Sequence, residues 1–203
     1  SAKELSTLNN SSGVALSGPQ WMGLLIGLLG VVLYSNTLFH DFTLDDFGAI
    51  KENWIVKGGL KNWGVLWTSE YRFGSWASPG SLYRPLTLAM FSLEWQVKQG
   101  PMMGHLMNMV WYGVTGWVMW NTWRRILVDY PWTLPALATL LFIAHPIHSE
   151  VVANIKSRDE IISLLCSMTA LNFVWRYFDT DQKKWLYAAA IIYGTGMFAK
   201  ESG

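Results

Sequence analysis

Charge is what this sequence has least of. Asp, Glu, Lys and Arg make up 14% of its 203 residues, against about 25% in an average protein. A chain so poor in charge cannot cover a large soluble surface. With 51% apolar and 15% aromatic residues, it has the composition of a membrane protein. The charges present nearly cancel, at net +1, so there is no basic field for nucleic acid and no such partner is expected. Cysteine is nearly absent too: Cys166 stands alone, which excludes an internal disulfide and leaves the redox compartment open. No internal repeat or low-complexity run occurs. The polar opening, residues 1–20, lacks the basic region and short apolar core of a cleaved signal peptide. The apolar run behind it is therefore expected to serve as a retained signal-anchor.

What the chain does have is apolar runs. A spanning helix needs roughly 20 mostly apolar residues, and five stretches are expected to cross: 21–39, 102–123, 132–145, 161–178 and 185–199. The third is short and requires a thinned bilayer or an adjoining cavity. The fold expected is all-α, a polytopic membrane bundle spanning 21–203, with Trp-rich amphipathic helices at the membrane interface in the long outer segment 40–101. The chain stops at FAKESG just as a helix finishes, so it is expected to be part of a longer protein. Basic residues flank the short turns: Lys3 before the first run, Arg124 and Arg125 after the second, and Arg176, Lys183 and Lys184 about the link between the fourth and fifth. Alternate crossings put these on one side, the cytoplasmic one by the positive-inside rule.

The same count gathers the other notable polar residues on the opposite face: Asp41, Asp45, Asp46, Arg84, His145, His148, Glu150, Arg158, Asp159, Glu160, Lys200 and Glu201. An active site at the mouth of a helical bundle needs such a convergence. Asp45 and Asp46 follow the first run in FHDFTLDDFGAI. TLDD has the form of a capping box, Thr43 with Asp46, and a helix N-terminus holding two ionised acids suits a general base or a cation ligand. In HPIHSE, His145, His148 and Glu150 offer metal-ligand types. The plainer alternative, histidines hydrogen-bonded at a helix boundary ended by Pro146, is preferred. SRDE forms a second box, Ser157 with Glu160. Arg84 and Arg158 are of the type that clamps a lipid phosphate bidentately; snorkelling to headgroups is the alternative. Lys200 and Glu201 also suit the polar end of a span. Glu94, among apolar neighbours, stands out as a costly acid if buried. The runs hold few ionisable residues, which argues against a transporter or channel. A non-catalytic membrane subunit that holds a partner on its Trp-rich outer segment is the main alternative to an enzyme.

LDDFGAI, YRPLT, GHLMNMVWYGVTG, LLFIAHPIHSEVVANIKSRDEIISLL and FAKESG, in that order, resemble the transmembrane-and-TPR-repeat O-mannosyltransferases and their bacterial relatives. The resemblance covers residues 21 to 203. It implies the N-terminal part of a GT-C fold and an inverting transfer of a sugar, typically mannose, from a polyprenyl-phosphate donor to Ser or Thr hydroxyls on the non-cytoplasmic face. It implies Asp45 as the base with Asp46 beside it, Arg84, Arg158 and Lys200 at the donor phosphate, and His145, His148, Glu150 and Glu201 lining the site. A divalent metal is left open. The partners implied are a lipid-linked sugar, an acceptor protein, membrane lipids and further membrane subunits. The membrane is the bacterial inner membrane or the endoplasmic reticulum. Complete family members carry more spans, and many carry TPR repeats, so activity is expected of a chain that continues beyond Gly203.

Overall fold

A computed structural model describes residues 18–76 and 82–201. Most of the polar opening, residues 1–17, lies outside them. The described residues are helical and hold no strand. The fold is an all-α bundle, and the protein has membrane character.

The elements in order are α1 (Gln20–Leu33), running into a 3₁₀ turn at Ser35–Phe39; the short α2 (Trp54–Lys57) and α3 (Trp63–Leu66); α4 (Pro85–Val97); α5 (Pro101–Ile126); α6 (Thr133–Ile143); the short α7 (Ser149–Ala153); α8 (Arg158–Thr180); and α9 (Lys184–Met197). Local sequence sets many of the boundaries. Pro85 and Pro101 open α4 and α5, where the missing N–H has no partner to lose. Asp181, in the left-handed region at φ 53°, closes α8. Pro146 follows the end of α6 and separates it from α7.

The helix α5 is the hub. Tyr34 meets Tyr112 edge-on at 5.3 Å, while Gly23 lies against Trp117 and Trp120, so α1 runs antiparallel to it. The two backbones touch at Gly27 and Gly113: a Cβ on Gly27 would sit 2.7 Å from the Gly113 carbonyl oxygen. Small residues permit this approach. The helix α8 runs parallel to α5, tied at one end by Arg158 to the Gly104 carbonyl (2.9 Å) and at the other by Asn172 to Thr122 (2.7 Å). The helix α6 returns against α5 and α1, its Ile143 carbonyl accepting from the Tyr112 hydroxyl at 3.0 Å and its side chain lying by Gly30 and Gly116. Against α8, α9 runs antiparallel: Gly196 faces Cys166, and Trp185 lies 5.6 Å from Phe173.

Two stretches are long and apolar enough to cross a membrane, Gln20–Phe39 and Ile155–Thr180. A third exists if Thr133–Ile143 and Pro146–Ala153, bent by 44°, act as one. Two of the five expected runs thus qualify outright. The helix α5 is long enough at about 39 Å, but it is the helix with neighbours on several sides. It buries His105, Asn108, Thr115, Thr122 and Arg124, and those polar residues dilute its apolar content. The helix α9 has only 14 residues.

Segment 40–101 does not trail over the surface. Its short helices fold on a core of their own, with Ile55, Val56, Leu66, Leu88 and Phe91 almost fully buried and Ile155 plugged in from the bundle. The result is a cap over the end where α5 and α8 begin.

Candidate functional site

The two adjacent acids of LDD enter different environments. Leu44 turns the chain through a positive φ of 39°, and residues 45 and 46 then start a helical turn. One carboxylate points in and the other out. Asp46 is fully buried. Its Oδ2 accepts from the Thr43 N–H (3.1 Å) and hydroxyl (3.3 Å), and its Oδ1 from the Lys156 N–H (2.7 Å). The expected Thr43–Asp46 box therefore forms by one arm only. The acid reaches back to the cap, but the Thr43 hydroxyl donates to that acid instead of accepting from the helix. Burial pushes the Asp46 carboxyl above its ordinary value, opposed by the Thr43 and Lys156 N–H groups and by nearby His105.

Asp45 is half exposed. Its Oδ1 lies 3.1 Å from the Arg72 guanidinium and its Oδ2 3.8 Å from the Lys156 ammonium. Lys156 thus touches both acids, through its backbone at Asp46 and its side chain at Asp45.

A second knot joins α4, α8 and the end of α9. Arg84, at the start of α4, is almost fully buried and pairs with Asp159 and, at 3.1 Å, with Glu201. The second oxygen of Glu201 accepts from the Tyr83 N–H at 2.7 Å. Backbone bonds extend the junction: Leu86 N–H to the Phe198 carbonyl at 3.2 Å, and the Thr87 hydroxyl to the Ala199 carbonyl at 3.2 Å. Beside them Lys200 pairs with Glu160. The second expected box is not made: Ser157 gives no side-chain cap to α8, the Glu160 N–H donates to Asp159 Oδ1 at 2.8 Å, and the Glu160 carboxylate turns to Lys200.

Arg158 is sealed in. It has no exposed surface, its Nε donates to Asn108 at 2.8 Å, its Nη1 to Glu94 and its Nη2 to the Gly104 carbonyl, and its guanidinium lies 4.7 Å from the Phe91 ring. All three nitrogens are committed to protein, and this placement leaves none facing a ligand. Glu94, the acid that stood out among apolar neighbours, is its counter-ion. Burial pushes the Glu94 carboxyl above its ordinary value, with Arg158 opposing.

His145, His148 and Glu150 sit apart from these knots. His145 caps the turn after α6, its Nδ1 accepting from the Ile147 N–H at 3.2 Å. His148 lies 4.3 Å from the Phe142 ring and 5.9 Å from the Tyr112 ring. Glu150 is exposed. Among the described residues, no three His, Cys, Asp or Glu side chains converge as metal ligands.

Four residues that sequence reasoning did not select belong to the site: Arg72, Lys156, Tyr71 and His105. Nothing local marks Arg72 or Lys156, since each gains its role from a partner far along the chain. Tyr71 is buried with its ring 5.7 Å from the Arg84 guanidinium, and its hydroxyl has no hydrogen-bond partner. Burial, with Asp159 adding to it and Arg84 opposing, drives that phenol well above its ordinary value. His105, fully buried on α5, stands 6.1 Å from the His40 ring.

No family model matches the chain, and no solved structure does. Curated proteins do. The protein O-mannosyl-transferase Tmtc2 of Drosophila melanogaster is 33% identical over 191 aligned positions, covering 86% of this chain and 19% of that protein. Human TMTC2 is 33% identical over 198 positions, covering 89% and 22%. Mouse TMTC4 is 25% identical over 209 positions, covering 91% and 28%. The chain is a relative of the TMTC protein O-mannosyl-transferases. It spans about a fifth of the length of the TMTC2 relatives it matches. The matched stretch takes in most of the chain.

Proposed function

We propose that this protein is a membrane glycosyltransferase that moves a sugar, mannose by analogy with the names of its relatives, from a polyprenyl-phosphate donor to a Ser or Thr hydroxyl of an acceptor protein. The observation that carries the reading is the division of labour between Asp45 and Asp46. A general base must reach its proton, and Asp45 is the carboxylate that faces outward. Asp46 is buried and fastened to both the turn and Lys156, which fixes the position of its neighbour.

The chemistry proposed is a single displacement with inversion. An Asp45 oxygen takes the acceptor hydroxyl proton as the hydroxyl oxygen bonds to the anomeric carbon. The bond from that carbon to the donor's phosphate oxygen breaks, and its electron pair leaves with polyprenyl phosphate. Negative charge then grows on the phosphate, where preorganised cations stabilise it most. Arg72, Lys156 and Lys200 are the cations near the rim. Arg84, almost fully buried and gripped by two acids, and Arg158, sealed inside, are better suited to hold the frame. The donor tail lies in the bilayer beside a multi-pass bundle, with the acceptor arriving from the capped, non-cytoplasmic side.

Mannosyl transfer to a Ser/Thr peptide from polyprenyl-phosphate mannose, assayed in membranes carrying the protein, tests this. Asp45→Asn should lower turnover by about 10²–10⁴-fold while leaving the thermal unfolding midpoint in place. Undiminished turnover removes Asp45 as base. No transfer by the unaltered protein, under conditions where a relative is active, removes the enzyme reading.

A further inference from the structure

The two candidate spans share an end. Gln20, which opens one, and Thr180, which closes the other, both line a cavity of about 570 Å3 between α5 and α8. Its other polar walls are Asn121, Thr169, Asn172, Arg125, Arg176 and Asp179. Arg125 pairs with Asp179 at 2.7 Å. The Arg176 guanidinium rests 4.1 Å from the Trp185 ring, with no acid partner among the described residues. Behind them Arg124 is 4% exposed, and its Nε and Nη1 have no hydrogen-bond partner. The cavity wall thus carries two guanidiniums, Arg125 and Arg176, against one carboxylate, Asp179. An anion in the cavity would meet the positive charge that Arg176 leaves without an acid partner.

The position narrows the source of that anion. From Gly104, held by Arg158 at the capped end, Arg125 lies about 32 Å further along α5. That is close to the roughly 30 Å of a bilayer's hydrocarbon core. The cavity therefore sits at the headgroup level of the leaflet opposite the cap, a bilayer away from Asp45. Trp117, Val118 and Phe173 are its apolar walls, giving apolar surface where acyl chains begin.

We propose that this cavity binds a phosphate ester anion, supplied by the headgroup of an anionic phospholipid of that leaflet. Arginine pairs with phosphate through two parallel N–H bonds, and basic pockets between helices at a membrane face take lipid headgroups. This site is independent of the sugar-transfer reading and is tested without it.

The purified protein in detergent is offered equal amounts of dioleoyl-phosphatidylglycerol and dioleoyl-phosphatidylcholine, and retained lipid is counted by native mass spectrometry. The anionic lipid should be retained about tenfold better. Arg176→Gln, at an exposed position whose loss spares the fold, should cut that preference at least about threefold. Lys183→Gln removes the same charge outside the cavity and should leave the preference alone. Equal retention of the two lipids, or an equal effect of both substitutions, overturns the site. Retention of sn-glycerol 3-phosphate as tightly as the phospholipid overturns the lipid source.

Discussion

At the scale of single residues, burial separates groups that look alike in the sequence. Arg84 and Arg158 were both expected at a donor phosphate, yet Arg158 has no exposed surface and binds Glu94, Asn108 and a backbone carbonyl. Its part is to lock α4 to α5 and α8. Removing one member of a buried ion pair typically costs about 3–5 kcal/mol, because the other charge is left stranded. Glu94→Ala should therefore lower the unfolding midpoint sharply in a detergent melt, whereas Asp45→Asn, at a half-exposed acid, should hardly move it. Asp46→Asn should sit between the two: it keeps an oxygen for one N–H donor but places an amide where both carboxylate oxygens accept. Of the polar residues that the expected crossings put on one face, Arg84, Asp159 and Glu201 join in one knot and Lys200 pairs with Glu160 beside it, while His145, His148 and Glu150 sit apart. Which of two adjacent acids faces outward was not legible in the sequence, because the answer depends on a positive φ at Leu44 that no glycine announces. The Arg158–Glu94 and Arg84–Asp159 pairs, 64 and 75 residues apart, were hidden for the same kind of reason: sequence shows charge but not the fold that brings two charges together.

At the scale of elements, the tightest contact is the crossing of α1 and α5. A Cβ at Gly113 would stand 2.6 Å from the Gly27 carbonyl oxygen and 2.8 Å from a Val31 methyl. Backbone cannot swing aside as a side chain can, so Gly113→Ala must push the helices apart. Overpacking of this kind costs about 1–3 kcal/mol, which should show as a lower unfolding midpoint. Gly27→Ala should act alike, and the double substitution should cost less than the sum, since the first methyl has already parted the helices. Gly23, Gly27 and Gly30 put small residues along the apolar run of α1, a pattern that suits close packing. The hub role of α5 was harder to see: its apolar run marked it as a span, while the polar residues that dilute it are the ones it uses to hold its neighbours.

At the scale of the whole molecule, the cap and the bundle are fastened where Glu201 meets Tyr83 and Arg84. Burial works to raise the Glu201 carboxyl, but the N–H bonds from its own backbone and Tyr83, and Arg84 beside it, bring it below its ordinary value. A depressed acid stabilises the folded state above its unfolded value and loses that contribution as pH falls through its folded value. The junction should loosen on acidification, below the ordinary carboxylate range. Amide exchange at Tyr83 and Leu86, read by mass spectrometry as pH is stepped down and corrected for intrinsic rates, should accelerate ahead of exchange in α5. In Glu201→Gln the step should vanish and both amides exchange faster at neutral pH.

The Arg84–Glu201 contact also has a place in time. The two residues are 117 positions apart, and a ribosome adding 5–20 residues per second needs about 6–23 s to travel between them. Through that interval Arg84 has emerged without one of its two acids, and the cap stands beside a bundle to which Glu201 does not yet tie it. The end bearing Asp45 is thus completed only after the elements it joins have been made, and a nascent chain stalled before residue 201 should carry a cap that proteases still open.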